Sequence, residues 1–320
     1  MVILHHQLGL KVNMVSHRVR FWDLYFSSYF VNDLPTVIND KSVPALFADD
    51  TSILVSHPNP LAFYKTVDTV FQNLNDWLKH NLLSLNLAKT HFSNFISKNN
   101  NQLKMDIVYD NKSISVVTYT RFLGLTVNCS LTWTNHIDFL TKKLISSCYL
   151  IRNIKPYLSI SALKMIYHFL FHSIMSYGIM FWGNSPHSPV IFKMQKRVIR
   201  ILMGIGYKES CRGLFKELKI LTLSSQCIFS LLLFVVHNRG YFAPNSIYHN
   251  FNTRQKNDLH LPHVSLTMHQ KGVFYSGIKV FNAFPSTNKD ISSNPKKFKV
   301  ALKHCLLKHS FYNFDEFFSE

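Results

Sequence analysis

The chain is poor in acidic residues. Its 320 residues include only 17 Asp and Glu against 35 Lys and Arg, giving a formal net charge of +18. The excess of cations runs along the whole length and is not confined to a tail. Such a balance favours polyanionic partners, with nucleic acid ahead of an anionic membrane. Because 47% of the residues are hydrophobic, composition indicates a folded protein of one to three domains with sizeable cores.

Cysteine and long apolar runs are also scarce. The five cysteines form no CxxC pair and no Cys/His spacing typical of a zinc site. The densest apolar run, "CIFSLLLFVV" (residues 227–236), is far shorter than the roughly 20 residues that a membrane-spanning helix needs, so it predicts a core helix. The first residues, "MVILHHQLGLKV", lack the small-residue cleavage site of a signal peptide. We therefore expect a nuclear or cytoplasmic protein that is not secreted and has no membrane partner.

Two of the rare acids, Asp49 and Asp50, stand side by side between "VPALF" and "TSILV". Apolar runs around such a centre predict a β-hairpin with the acids at or beside its turn. A single Asp in a turn is ordinary, but two adjacent carboxylates repel each other unless a cation lies near them. A divalent metal ion would supply that charge, and the pair would suit a two-metal phosphoryl-transfer centre.

The pattern that follows predicts a mixed α+β region up to about Asn135. Asn59 and Pro60 are typical of a helix start, and the next apolar residues recur at helical spacing. These predicted core positions are Phe63, Val67, Val70, Phe71, Leu74, Trp77 and Leu78. A strand is expected around Lys89 and Thr90, and two more strands are expected to join around residues 122–125.

Helical periods predominate after Asn135, with helices predicted over residues 135–151, 159–177, 188–203 and 221–237. A last helix is predicted to start at Asn294 and Pro295. On the helix over residues 188–203, four cations share one face at offsets of three and four: Lys193, Lys196, Arg197 and Arg200. The opposite face carries Val198, Ile201 and Leu202. Such a basic face is usually only solvated, but in this chain it is a candidate contact for backbone phosphates.

The order of several motifs resembles a known family. "FADD" (residues 47–50) is preceded by "VNDLP" and followed by "WLKHNLLSLNLAKT", "FLGL", "SYGIMFWGNS" and "QKRVIRIL". From about Val31 to the end, this series resembles the C-terminal part of non-LTR retrotransposon (LINE-type, jockey-like) reverse transcriptases. The resemblance implies an α+β fold with a partial polymerase palm, in which antiparallel β-hairpins pack on a helix, followed by a mainly α-helical thumb and a C-terminal region. The expected divisions are residues 1–29 (non-native or frameshifted), 30–132 (palm), 133–240 (thumb) and 241–320 (basic C-terminal region).

The same resemblance implies roles for individual residues. Asp49 and Asp50 would be catalytic residues that bind Mg²⁺. Lys89 would be a candidate general acid toward pyrophosphate, although an ordinary solvent-facing lysine is an equal alternative. Three further residues would form a primer grip, with core packing as the alternative for the first two: Phe122, Leu123 and Gly124. The basic face with Lys193, Lys196, Arg197 and Arg200 would bind along an RNA template and DNA primer. Apart from these, the intact parent would need only dNTP and Mg²⁺ for synthesis.

Two parts of the family pattern are missing. Neither a first catalytic aspartate upstream nor a "GVPQGSxLGP" loop before "VNDLP" occurs in the chain. We therefore expect the chain alone to be inactive, whereas its parent would be an RNA-directed DNA polymerase, a nucleotidyltransferase. One alternative is a non-catalytic basic remnant that binds RNA or DNA. A purely structural protein is a third reading, and it would show neither activity nor salt-sensitive binding.

A second reading frame accounts for the missing loop. Reading from the third base of the Met14 codon forces Gly across Met14 and Val15. The same frame forces Leu across Phe21 and Trp22, and Gly across Trp22 and Asp23. The codons between permit the remaining letters, so the hidden frame can spell "GVPQGSILGP".

We hypothesise that the chain is a conceptual translation across a frameshift, so that residues 1–29 are not native palm sequence. An unrelated N-terminal exon is the alternative. Sequencing genomic DNA and transcript through codons 14–30 and upstream is expected to show the loop in the shifted frame, preceded by a region with the first aspartate. Codons that cannot encode the loop would mean that the N-terminus is real.

Overall fold

The computed structural model describes residues 2–7, 32–38, 42–47, 50–95, 107–109, 112–248, 255–256, 258–285, 289, 292 and 294–320. The chain forms two compact units, Met1–Leu131 and Thr132–Glu320. The first is mixed α and β, and the second is helical in its described parts. The polymerase palm and thumb, and the four divisions expected from the sequence, stay predictions.

The first unit is built on a five-stranded sheet in the order β2-β3-β1-β4-β7. Its elements are β1 (Val2–Gln7), α1 (Leu34–Ile38), β2 (Val43–Phe47), β3 (Asp50–Val55), α2 (Pro60–His80), β4 (His91–Asn94), β5 (Val108–Tyr109), β6 (Lys112–Ser113), β7 (Ser115–Val116), β8 (Tyr119–Phe122) and β9 (Leu125–Asn128). The strand β1 lies between β3 and β4 and is antiparallel to both. The strands β2 and β3 pair antiparallel from Phe47 opposite Asp50, which confirms the predicted hairpin.

Helix α2 begins where its sequence predicts. The Asn59 side chain accepts hydrogen bonds from the backbone N–H groups of Leu61 (2.9 Å) and Ala62 (3.3 Å), and Pro60 follows as the first helical residue. All seven apolar positions predicted from helical spacing are buried. They pack with Ile53 and Phe92 of the sheet in one core. Burial of this apolar face holds the helix on the sheet.

The strands β8 and β9 confirm the predicted hairpin around residues 122–125. Leu123 and Gly124 form its two-residue turn, and both have positive φ (45° and 80°). Positive φ at both central residues matches the right-handed twist of the flanking strands. The conformation is natural for Gly124 but unfavourable for Leu123.

The second unit is a stack of helices. They are α3 (Thr134–Ile154), a 3₁₀ turn (Lys155–Tyr157), α4 (Ile160–Ile166), a π-helical segment (Tyr167–His172), α5 (Ser173–Ser176), α6 (Ile179–Trp182), α7 (Pro189–Met203), α8 (Arg212–Glu217), α9 (Leu223–His237), a second 3₁₀ turn (Arg239–Tyr241), α10 (Asn245–Tyr248), α11 (Thr267–Gln270), α12 (Val273–Ala283), α13 (Pro295–His309) and α14 (Phe314–Phe318). The predicted helices are confirmed within a few residues. The one expected over 159–177 is divided into α4, the π-helical segment and α5.

Helix α9 forms the centre of this unit. Its apolar run is a core helix, as predicted: Cys227, Ile228, Leu231, Leu232 and Val235 are all fully buried. Two glycines let neighbouring helices approach it closely. A Cβ on Gly183 would lie 2.8 Å from the Cys227 Sγ, and a Cβ on Gly277 would lie 2.9 Å from a Val235 methyl group. No helix in the described ranges has the length and apolarity that crossing a bilayer requires.

Buried polar groups tie distant parts of the second unit together. The Gln195 side chain of α7 donates to the Tyr167 hydroxyl (3.0 Å) and to the Leu221 carbonyl (2.9 Å). Burial raises the pKa of Tyr167, so the phenol stays protonated. At the start of α9, the Ser224 hydroxyl donates to the Tyr312 carbonyl (2.8 Å), which holds the C-terminal residues in place. Breaking such a contact would leave a buried polar group unsatisfied.

His136 of α3 makes the second unit sensitive to acid. It is 1% exposed, between the rings of Trp133 and Trp182. Burial lowers its pKa from 6.5 to about 4. The unfolded chain therefore binds a proton that the folded chain does not, and stability present above pH 6.5 is lost as the pH falls toward 4, by about 3 kcal/mol.

Urea unfolding at pH 7 and pH 4.5 measures this contribution. We expect His136→Gln to flatten the pH dependence relative to the wild type, and exposed His187→Gln, the matched control, to keep it. Equal slopes for all three proteins would show that His136 is not the responsible group.

Candidate functional site

Asp50 lies where three strands of the first unit meet. It is the first residue of β3, and its backbone is opposite Phe47 of β2 and Gln7 of β1. Its Oδ1 atom is buried and has no hydrogen-bond partner among the described residues. A buried carboxylate oxygen without a partner is costly, so this position favours an added donor or cation. Asp49 lies outside the described residues, and of the predicted pair only Asp50 is placed.

Ser93 shares the sheet face of Asp50, which the sequence did not predict. Ile3 of β1 is opposite both Leu54 of β3 and Ser93 of β4, so those two residues lie on one face, and Asp50 lies on it by alternation. This face is opposite the one that Ile53 buries against α2. The Ser93 hydroxyl is also buried without a partner among the described residues. Two unsatisfied oxygens thus occur on one face, and only strand pairing reveals it.

The described residues do not make up a metal centre by themselves. Within the described ranges, no group of three or more His, Cys, Asp or Glu side chains could hold a metal ion. Asp50 supplies one carboxylate with a buried free oxygen, whereas a two-metal centre needs several oxygen ligands.

Lys89 and the predicted primer grip are placed in turns. Lys89 is exposed in the turn before β4, where its backbone N–H donates to the Asn86 carbonyl (3.0 Å). Phe122, Leu123 and Gly124 form the tip of the β8–β9 hairpin, and all three are half-buried. Neither Phe122 nor Leu123 is among the fully buried residues, and the core-packing alternative for them stays a prediction. The catalytic and primer-grip roles stay predictions.

The buried face of α7 differs in part from its prediction. Val198 and Leu202 are buried as expected, but Ile201 is only half-buried. The face turns instead toward the side that carries Ile191, Phe192, Gln195 and Ile199. Because the buried face is shifted around the helix axis, part of the predicted basic face contacts the rest of the unit.

The four predicted cations of α7 are consequently not equivalent. Lys193 and Arg197 are exposed one turn apart, and neither forms an ion pair among the described residues. The Lys196 ammonium lies over the Phe192 ring, 4.8 Å from its centroid. The Arg200 guanidinium donates twice to the Glu209 carbonyl, through Nε (3.0 Å) and Nη2 (2.8 Å).

Arg200 and Lys196 thus have structural partners inside the unit. A bidentate guanidinium holds its acceptor in a fixed geometry, so Arg200 fixes the loop after α7. The charged groups of Lys193 and Arg197 are available to the solvent or to a bound anion.

Helix α3 adds a cation that the sequence reasoning missed. Exposed Arg152 lies near Cys148, and so does Arg197 of α7. Burial raises the pKa of the Cys148 thiol, and the two guanidiniums partly oppose that rise. Arg152 and Arg197 therefore lie near a common point, and Arg152 too has no ion pair in the described ranges. The available signal was the absence of any acid in α3 after Asp138.

Comparison with known proteins supports the reverse-transcriptase resemblance. The chain is 24% identical over 191 residues to a protein described as "Probable RNA-directed DNA polymerase from transposon BS" of Drosophila melanogaster. The match covers 58% of this chain and 21% of that protein, so the chain spans about a fifth of its relative. No family model matches the chain, and no solved structure matches it. The chain is thus similar to part of a transposon RNA-directed DNA polymerase.

Proposed function

We propose that the chain is a fragment of the RNA-directed DNA polymerase of a non-LTR, jockey-like retrotransposon, with part of the palm, the thumb and the C-terminal region. The similarity to the Drosophila protein carries this proposal. It is supported by the β2–β3 hairpin, which presents Asp50 at its turn-side end with a buried free oxygen. The partners would be an RNA template and a DNA primer in the nucleus or cytoplasm.

The fragment would contribute ligands but no complete catalytic centre. In the intact parent, Asp49 and Asp50 would bind divalent metal, which we propose is Mg²⁺, together with an aspartate that this chain lacks. Mg²⁺ prefers octahedral oxygen ligands, and carboxylates are its usual protein ligands. Since the chain lacks that aspartate, the isolated chain would bind nucleic acid without extending a primer.

Primer extension on an RNA template tests the missing activity. With Mg²⁺ and dNTP, we expect no synthesis above a protein-free control, and Asp50→Asn should behave as the wild type does. Synthesis that needs Mg²⁺ and disappears in Asp49→Ala or Asp50→Asn would contradict the inactivity and would show a working site in this chain.

Nucleic-acid binding would rest on the cations without internal partners. Arg152, Lys193 and Arg197 are exposed on the α3–α7 pair, and no acid occurs on α7. Each phosphate that such a side chain neutralises releases a counterion, which makes binding steeply dependent on salt. Lys196 and Arg200 would contribute less, because their charged groups already contact a ring and a carbonyl.

The salt dependence of binding separates these two kinds of cation. For Lys193→Gln with Arg197→Gln, we expect the slope of log K against log salt on single-stranded RNA to fall in magnitude by about 1.4, because each lost contact accounts for about 0.7. Fluorescence anisotropy from 50 to 300 mM salt, about the range in which such contacts show their effect, measures the slope.

Lys216→Gln with Lys219→Gln is the matched control, since both lysines are exposed in the same unit and outside this surface. An equal fall in slope for the control pair would mean that only net charge matters. An unchanged slope in both pairs would remove the α7 surface from the interface.

A further inference from the structure

A cavity of about 230 Å³ opens in the second unit, on the side of α12 that faces α11 and α14. Its lining includes the cations Lys271 and Lys279 and the aromatic side chains Tyr275, Phe314 and Phe318. Tyr275 and Lys279 are one turn apart on α12. The cavity thus has both cations and aromatic rings in its lining.

Among the described residues, no acidic side chain lines this cavity. Neither Lys271 nor Lys279 takes part in an ion pair in the described ranges. The Lys279 ammonium lies 4.5 Å from the centroid of the Phe318 ring, which gives it a weak partner and no counter-charge.

The acids of the C-terminal segment do not neutralise these lysines. Glu316 of α14 receives the Arg212 guanidinium at 2.9 Å, and Glu320 is paired with His309. Asp315 is exposed and is not among the residues that line the cavity. Two uncompensated ammonium groups beside one opening favour an anion.

The aromatic side chains of the cavity set a second requirement for its ligand. The rings of Phe314 and Phe318 are 6.4 Å apart between centroids, and Tyr275 lies on the facing helix. Aromatic side chains stack on nucleobases of any sequence because every base has a π face. Ligand pockets for whole small molecules usually measure about 300–1,000 Å³, so this cavity has room for no more than a single nucleotide.

We propose that this cavity binds one nucleotide, with its phosphate at Lys271 and Lys279 and its base against Phe314 and Phe318. The nucleotide is either free or one unit of a single strand, since both present the same phosphate and base. The site shares no residue with Asp50 or with the cations of α3 and α7, so it stands or fails apart from the proposed function.

Calorimetric titration of the full chain tests the site with AMP, inorganic phosphate and a ten-nucleotide oligo(dA). Three proteins are compared with the wild type: Lys271→Gln with Lys279→Gln, Phe318→Leu, and the control Lys216→Gln with Lys219→Gln. Because Lys279 is exposed and Lys271 is only half-buried, circular dichroism should show an unchanged fold. We expect the cavity lysine pair to weaken AMP binding about tenfold or more, Phe318→Leu to weaken it less, and the control to leave it unchanged.

The three ligands distinguish a site for a free nucleotide from a site for one unit of a single strand. AMP binding that the cavity variants weaken supports a site for free nucleotide. Binding of oligo(dA) alone, weakened by the cavity variants and not by the control, supports a site for one unit of a strand. Phosphate that binds as tightly as AMP, or an equal loss in the control, overturns the proposal, and so does the absence of binding by all three ligands.

Discussion

The shortage of carboxylates determines how this protein accommodates its own positive charge. With half as many acids as cations, few Lys and Arg can be paired, and the described residues form only three ion pairs. Aromatic faces and carbonyl oxygens serve in their place. Arg239 lies over Phe281 and Lys196 over Phe192, while Arg200 binds a carbonyl. On the helix pair α3–α7, the cations without such contacts are the ones left for an anionic partner.

The elements that depend on local patterns could be predicted from the sequence. Helix α2 follows from its apolar spacing and from the Asn59 cap, both of which are contained within one segment. The end of α7 follows from Gly204, whose φ of 73° few other residues adopt easily. The π-helical segment inside the helix predicted over residues 159–177 could not be predicted, because nothing in its spacing departs from a helical period.

The features that depend on distant contacts could not be predicted. Arg200 and Arg197 look alike in the sequence, and only the position of the Glu209 carbonyl separates a structural arginine from a free one. The same holds for Ser93, which shares a sheet face with Asp50 only through the pairing of β1 with two strands. For the carboxylate site, the sequence indicated the residue type and the hairpin. Only the structure shows that the Asp50 Oδ1 atom is buried without a hydrogen-bond partner among the described residues.

The two glycines of "SYGIMFWGNS" have structural roles that do not involve a ligand. Gly178 takes a left-handed conformation (φ 59°) between α5 and α6, and Gly183 lies against Cys227 with no room for a side chain. One glycine sets the bend of the chain, and the other sets how closely α6 approaches α9. This stretch, which helps to reveal the family resemblance, is therefore a packing signature. Its presence in another chain would report the spacing of two helices, whether or not that chain still copied RNA.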